Sequence, residues 1–298
     1  MITAAQVKQL RDSTGVGMME CKKALSENQG NMDKAILWLR ERGMSRAAQK
    51  AERTTAEGLV HFVVAPSRKE ALVLEINCET DFSAKNEAFQ HFVREAASIA
   101  LTSAVNDIHG LGSAPMGDST VAGQLVALIA KVGENMSLRR LTRVRAENGF
   151  VSGYNHMQGK IVTLVALAGN DGSNEKAVQM GQDLAMHVAA AAPRYLVREE
   201  VVVGELEQEK ELARKKMRES GKPEDIIEKA IMGQISKFYG EVCFLEQPFV
   251  KEPKLTIASY LKQSGLPLTV TGFVRFQVGE GIEVKKQNFA DEVAAQLK

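Results

Sequence analysis

The residues best equipped for chemistry in this 298-residue chain are few and scattered. The run Glu79-Thr80-Asp81-Phe82-Ser83 sets two carboxylates around a hydroxyl and beside a large apolar ring, between a β-rich stretch and a helical one. A connection of that kind lies on the surface. A phenylalanine there either tucks back under the next helix as core or projects to fill a partner's pocket, and residue type alone favours the core. Arg139, Arg140, Arg143 and Arg145 form the densest basic run. It reads as an RNA-binding strand or as a solvated strand face; with no aromatics interleaved there is no stacking platform, which favours the second reading. His187, in the apolar run Leu184-Ala-Met-His-Val188, reads as a packed or capped core residue, whereas His156 lies in the polar tip Asn155-His156-Met157-Gln158 of an expected hairpin and should be exposed.

The motifs of nucleotide and metal chemistry are missing. Neither Gly159-Lys160 nor Gly221-Lys222 has a glycine five residues before its Gly or a Ser/Thr after its Lys, so the phosphate-cradling loop of a Walker A motif does not exist. GxGxxG, HExxH and GxSxG are absent too, and the histidines at 61, 91, 109, 156 and 187 lack metal-ligand spacing. An enzyme is therefore disfavoured, and neither a cofactor nor a metal is expected. Lys plus Arg number 38 against 37 Asp plus Glu, which removes the basic footprint of a dedicated nucleic-acid binder. Cys21, Cys78 and Cys243 are far apart with no CxxC pair, which suits a reducing compartment, the cytoplasm. The N-terminus has neither signal-peptide nor transit-peptide character, and the longest charge-free apolar stretch, 161–168, is far short of the ~20 residues a membrane span requires. The expectation is a soluble protein that is not exported.

Several elements must position these residues. Thr3 and Gln6 form a capping box before Val7 and Leu10, Gly15-Val-Gly17 breaks the chain, and a second helix runs from about Met18 to Asn28. Asn31 caps a third helix with Met32, Ala35, Ile36 and Leu39 at helical spacing, which Gly43 is expected to stop. A polar, basic segment follows that reads as a linker, extended or helical. Alternation then predicts a hairpin of strands 59–65 and 72–78, a helix opening at Asn86, a Gly/Ser/Pro-containing loop over 103–118, a helix from Thr120 and a strand over 136–146. The plan repeats with strands 149–154 and 160–168 and a helix opening at Asn174-Glu175, which suggests an internal duplication.

Residues 205–239 read as a helical hairpin turning at Gly221-Lys222-Pro223. Such an arm serves contact or dimerisation, or is a solvated excursion, and the sequence leaves both open. Strands over 242–245 and 268–278 flank a short helix at 257–263, and a last helix over about 288–298 carries Phe289, Val293 and Leu297. The seven prolines all fall between these elements.

Taken together, Met18-Met-Glu-Cys-Lys-Lys-Ala-Leu25, Asn77-Cys-Glu-Thr-Asp-Phe82, Ala185-Met-His-Val-Ala-Ala190, Gln247-Pro-Phe-Val250, Val270-Thr-Gly-Phe-Val-Arg-Phe276 and Val278-Gly-Glu-Gly-Ile282 closely resemble the bacterial elongation factor Ts family, in the same order along essentially the whole chain. The resemblance implies a guanine nucleotide exchange factor for elongation factor Tu. It also implies an α+β fold: a three-helix ubiquitin-associated-like bundle with its linker (1–54), a two-part core with antiparallel sheets (55–148, then 149–192 with 242–280), an inserted helical hairpin arm (193–241) and a C-terminal module ending in a helix (281–298).

In the family a Thr-Asp-Phe-Val motif disturbs the partner's magnesium site, and it maps onto Thr80, Asp81, Phe82 and Ser83, where Ser83 departs from the pattern. By position, Met18, Met19, Lys22, His156 and Phe289 are the implied partner-binding residues. The implied partner is elongation factor Tu, GDP-bound and nucleotide-free, without direct nucleic acid or membrane contact, and with 193–241 a candidate for self-association. A competing reading from another class is a non-catalytic adaptor built from the bundle and a dimerising arm; a third is a metabolic enzyme with a dispersed site.

Overall fold

A computed structural model describes residues 2–219 and 223–283. The chain opens with α1 (Ala4–Thr14), α2 (Met18–Glu27) and α3 (Met32–Lys50). Thr3 and Gln6 make the expected capping box, and Gly15 takes the left-handed conformation (φ 67°) that closes α1. Val7, Leu10, Cys21, Ala24, Leu25, Ala35 and Leu39 form the core of this bundle.

Gly43 does not stop α3, which continues seven residues further to Lys50. The glycine lies where α3 meets a later helix: a Cβ at position 43 would sit 3.2 Å from the Ala130 Cβ. Close helix approach, rather than termination, explains the small residue, and it outweighs a propensity penalty of ~1 kcal/mol. Much of the expected linker is therefore helix.

Two strands follow, β1 (Glu57–Val64) and β2 (Glu70–Cys78), joined through a tight turn in which Ala65 accepts from Arg68 N–H at 2.8 Å. Next come α4 (Asp81–Ala84) and α5 (Glu87–Thr102), the latter capped by Asn86 as expected. The expected loop over 103–118 is more ordered than its composition suggested. Asp107 caps α6 (Ile108–Ser113) by accepting from Gly110 N–H at 2.7 Å, and β3 (Pro115–Met116) pairs with β4 (Ser119–Thr120). Helix α7 (Val121–Val132) and strand β5 (Met136–Arg145) complete this half, whose sheet order is β1-β2-β5.

The second half has β6 (Gly149–His156) antiparallel to β7 (Ile161–Ala168), in register from Gly149 opposite Ala168 to His156 opposite Ile161. Helix α8 (Glu175–Ala191) follows, capped by Asn174. The arm is α9 (Val203–Glu219) and α10 (Glu224–Val242), held by Ala213, Ile227, Ile231 and Ile235. Its expected Gly221-Lys222 turn lies outside the described residues.

The strand expected at 242–245 is not formed as such. α10 runs to Val242, a 3-10 turn occupies Phe244–Glu246, and β character survives as a parallel bridge between Tyr195 and Cys243, with Phe244 and Leu245 N–H donating to the carbonyls of Tyr195 and Leu196. Strand β8 (Pro248–Phe249) pairs with β9 (Glu252–Thr256), followed by α11 (Ile257–Gln263) and β10 (Thr269–Gln277). The sheet order here is β10-β7-β6, so the strand after the helix again joins the second hairpin strand, as β5 joins β2. The two three-stranded sheets share this strand order. The expected C-terminal helix, with Phe289, lies outside the described residues.

By contact density the described chain forms two compact units, residues 2–61, 74–141 and 277–283 in one and 62–73 and 142–276 in the other. The second has its core in Phe150, Val165, Leu167, Leu184, Val188, Phe244, Phe249, Ile257 and Val270. Among the described residues no helix is long and apolar enough to cross a membrane.

The arginine run belongs to this architecture. Arg139 Nη1 and Arg140 Nε donate to the two oxygens of Glu75 at 2.7 and 2.6 Å, and Glu75 is fully buried. Arg143 and Arg145 donate to Glu70 at 2.7 and 2.9 Å and hold its carboxyl below the usual range against the opposing effect of burial. Two glutamates on β2 thus pair with all four arginines of a run that composition alone left unpartnered.

Candidate functional site

Strand β2 ends at Cys78, and the polypeptide turns at once into the four-residue helix α4. Thr80 is its N-cap: the extended backbone (φ −128°, ψ 157°) aims Oγ1 at Ser83 N–H, from which it accepts at 3.2 Å. The same hydroxyl donates to Glu134 Oε1 at 2.8 Å, while Thr80 N–H donates to Glu134 Oε2 at 3.1 Å. Glu79 Oε1 accepts from Asn135 N–H at 2.6 Å. The start of the turn is therefore braced by two carboxylates before the chain reaches Asp81.

The turn sends its neighbouring side chains opposite ways. Ser83 is 4% exposed and faces inward, whereas Phe82 is 79% exposed. The core placement favoured by residue type is overturned: a cap at Thr80 sets the helical phase, and that phase gives the inward position to Ser83 and Ala84. Asp81 pairs with Lys85 at 2.7 Å one helical turn on, and Lys85 Nζ lies 5.9 Å from the Phe82 ring centroid. A cation thus lies near both the acid and the aromatic.

The other expected contact residues have definite places. On α2, which begins at Gly17 without a side-chain cap, Met18 is 42% and Met19 76% exposed, Lys22 is exposed and Cys21 is buried beneath them. Met18, Met19, Lys22 and Phe82 all belong to one compact unit. His156 belongs to the other, at the end of β6, exposed and with Nδ1 3.3 Å from the Tyr154 hydroxyl. Met157, Gln158 and Gly159 make its hairpin turn with positive φ values of 49°, 55° and 96°.

Two of the family-like motifs are structural partners. Val250 N–H donates to His187 Nδ1 at 3.3 Å, so the ring proton is on Nε2, which donates to Gln247 Oε1 at 2.9 Å. Gln247 Nε2 in turn donates to the carbonyls of Glu241 and Ala191 at 2.7 and 3.3 Å. Burial lowers the His187 pKa, opposed by the Gln247 bond. This histidine is a neutral core residue tying Ala185–Ala190 to Gln247–Val250.

Glu134, Asn135 and Lys85 belong to the site without a motif of their own. Lys85 was within reach, since Asp81 precedes it by four positions in a helical context. Glu134 and Asn135 were not: they follow the α7 C-cap Gly133 in a short polar connection, with nothing to indicate a pairing more than fifty positions away.

An exposed aromatic on a firmly capped turn is the kind of surface that a protein-binding factor offers. A family model described as Elongation factor TS matches residues 79–280. The chain is 46% identical over 303 residues to Elongation factor Ts of Syntrophotalea carbinolica, covering 100% of this chain and 99% of that protein. It is also 46% identical over 299 residues to Elongation factor Ts of Clostridium perfringens, covering 99% and 98%, and 45% identical over 299 residues to that of Magnetococcus marinus, covering 98% and 98%. The chain belongs to the elongation factor Ts family.

Proposed function

We propose that this protein binds elongation factor Tu and promotes replacement of GDP by GTP, with Thr80, Asp81, Phe82 and Ser83 disturbing the partner's magnesium and phosphate site. An exchange factor need not touch the nucleotide. It binds the empty partner more tightly than the loaded one, and by linkage the nucleotide loses affinity by the same factor. Phe82 supplies that preference by entering an apolar gap that exists only when the partner's ion site is displaced. Asp81 acts on the polar contacts around the ion. Ser83 faces inward here, so its part is to hold the turn that presents Asp81 and Phe82.

The observation that carries this reading is the exposure of Phe82, 79% on a turn whose neighbours at 83 and 84 are buried. A ring of that size gains nothing for the monomer by standing in water, and full burial against a partner is worth ~1.5 to 3 kcal/mol. Exposed Met18, Met19 and Lys22 on α2 suit further contacts by a bundle of ubiquitin-associated-like type, with His156 on its hairpin and Phe289 beyond the described residues completing the set. The arm over 193–241 is the surface assigned to self-association, and the cytoplasm the compartment. The test is release of fluorescent GDP from elongation factor Tu on addition of the full chain. Acceleration at substoichiometric factor is expected, and an unchanged release rate at saturating factor would refute the function.

A further inference from the structure

We propose that Glu134 is a positioning residue for the exchange reaction: its carboxylate sets the Thr80 cap that presents Phe82, and with Asn135 it links this turn to the end of helix α3. The inference rests on the reading of Phe82 as the contact made with the partner.

The chemistry lies in the Thr80 hydroxyl, which has one proton and must both accept and donate. A carboxylate can only accept. Glu134 Oε1 therefore accepts the hydroxyl's hydrogen bond at 2.8 Å, and an oxygen lone pair is left facing Ser83 N–H at 3.2 Å, where the cap requires it. The second Glu134 oxygen accepts Thr80 N–H at 3.1 Å, so the carboxylate holds both backbone and side chain of the cap residue. Charged acceptors make the stronger bonds of this kind.

The grip is reciprocal. Glu79 Oε1 accepts Asn135 N–H at 2.6 Å, so each of two connections distant in sequence presents a carboxylate to the backbone of the other. Asn135 is itself buried, and its Nδ2 donates to the carbonyls of Arg53 and Ala51 at 2.9 and 3.4 Å, just beyond α3. Arg53 Nη1 reaches Glu79 Oε1 at 3.5 Å. The turn bearing Phe82, the α7–β5 connection and the end of the α3 segment thus form one hydrogen-bonded assembly. Four-residue α4 has too few internal bonds to hold its own geometry, since helices this short are unstable in water. Its geometry is imposed by Glu134.

A double-mutant cycle in the full chain tests this, reading GDP release from elongation factor Tu together with the melting temperature of the factor. Glu134→Ala is expected to lower exchange efficiency about five- to thirtyfold, because only the fraction of molecules presenting the ring correctly engages the partner. Glu134→Gln, whose amide oxygen can satisfy one of the two donors, is expected to fall between. In a Phe82→Ala background Glu134→Ala is expected to add less than about twofold, the signature of two residues acting through one contact. A role confined to stability would shift the melt and leave that coupling absent.

Wild-type exchange by Glu134→Ala while Phe82→Ala is slow overturns the positioning role, as does a full multiplicative loss in the double variant. Wild-type exchange by Phe82→Ala alone overturns the reading on which the proposal stands, and is distinguishable because it does not involve Glu134. Should Glu134→Ala fail to fold, Glu134→Gln takes its place in the same cycle, with a smaller loss and the same coupling to Phe82→Ala expected.

Discussion

Truncation of Phe82 separates contact from core most sharply. A core phenylalanine cut to alanine costs ~3 to 5 kcal/mol of stability. At 79% exposure Phe82 has little of that to lose, and the cation beside it, Lys85 at 5.9 Å from the ring, is worth ~0.5 to 1 kcal/mol at an exposed site. Phe82→Ala should therefore melt within a few degrees of wild type. About four fifths of the side chain remains to be buried on binding, so the lost stabilisation is about 1.2 to 2.4 kcal/mol out of the ~1.5 to 3 available to a whole ring. That corresponds to roughly an eight- to sixtyfold loss of kcat/KM for exchange, read as GDP release from elongation factor Tu at several factor concentrations. Asp81→Ala should cost the monomer a few tenths of a kcal/mol at most, since its pair with Lys85 is partly solvated, and its exchange defect should vary with magnesium concentration. A Phe82→Ala protein that melts many degrees earlier yet exchanges at full rate while folded would return the ring to the core and remove it from the mechanism.

Glu75→Ala should cost about 3 to 5 kcal/mol in urea denaturation, because it leaves Arg139, Arg140 and Gly279 N–H, which donates to Glu75 Oε1 at 2.9 Å, without their buried acceptor; a loss under about 1 kcal/mol would mean that the arginines find equivalent partners. His187 makes stability depend on pH in a stated direction: its folded pKa lies below the ordinary 6.5, so the unfolded chain takes the proton first as pH falls. The stabilisation from the neutral ring is complete above pH 6.5 and is lost as pH drops from there toward the lowered folded pKa, and His187→Gln should flatten that part of the urea-midpoint profile. Gly43→Val should force α3 away from Ala130, 3.2 Å from even a bare Cβ, costing about 1 to 3 kcal/mol by overpacking, and a variant melting above wild type would show that the close approach is dispensable.

Local pattern was enough for most elements of this protein. Caps at Thr3 and Asn31 stand where residue type placed them, and the helices expected to open at Asn86, Thr120 and Asn174 are capped by those residues, because a side-chain oxygen satisfies helix-end N–H groups a few positions away and needs nothing distant. Alternation located the hairpin β6–β7, and the polar tip between its strands marked His156 as exposed. The order of motifs along the chain indicated the family. What failed was local reasoning about residues whose roles are tertiary. Gly43 has the composition of a helix stop, but the deciding contact is with Ala130, and the arginines look unpartnered until β2 brings Glu70 and Glu75 beside them. Phe82 is the clearest case. Its exposure follows from the phase of a four-residue helix, that phase follows from the orientation of one hydroxyl, and the hydroxyl is oriented by Glu134, which only the fold brings to it. Short-range hydrogen bonds and side-chain periodicity are written in neighbouring residues, whereas a pairing across more than fifty positions comes into being only when the chain closes on itself.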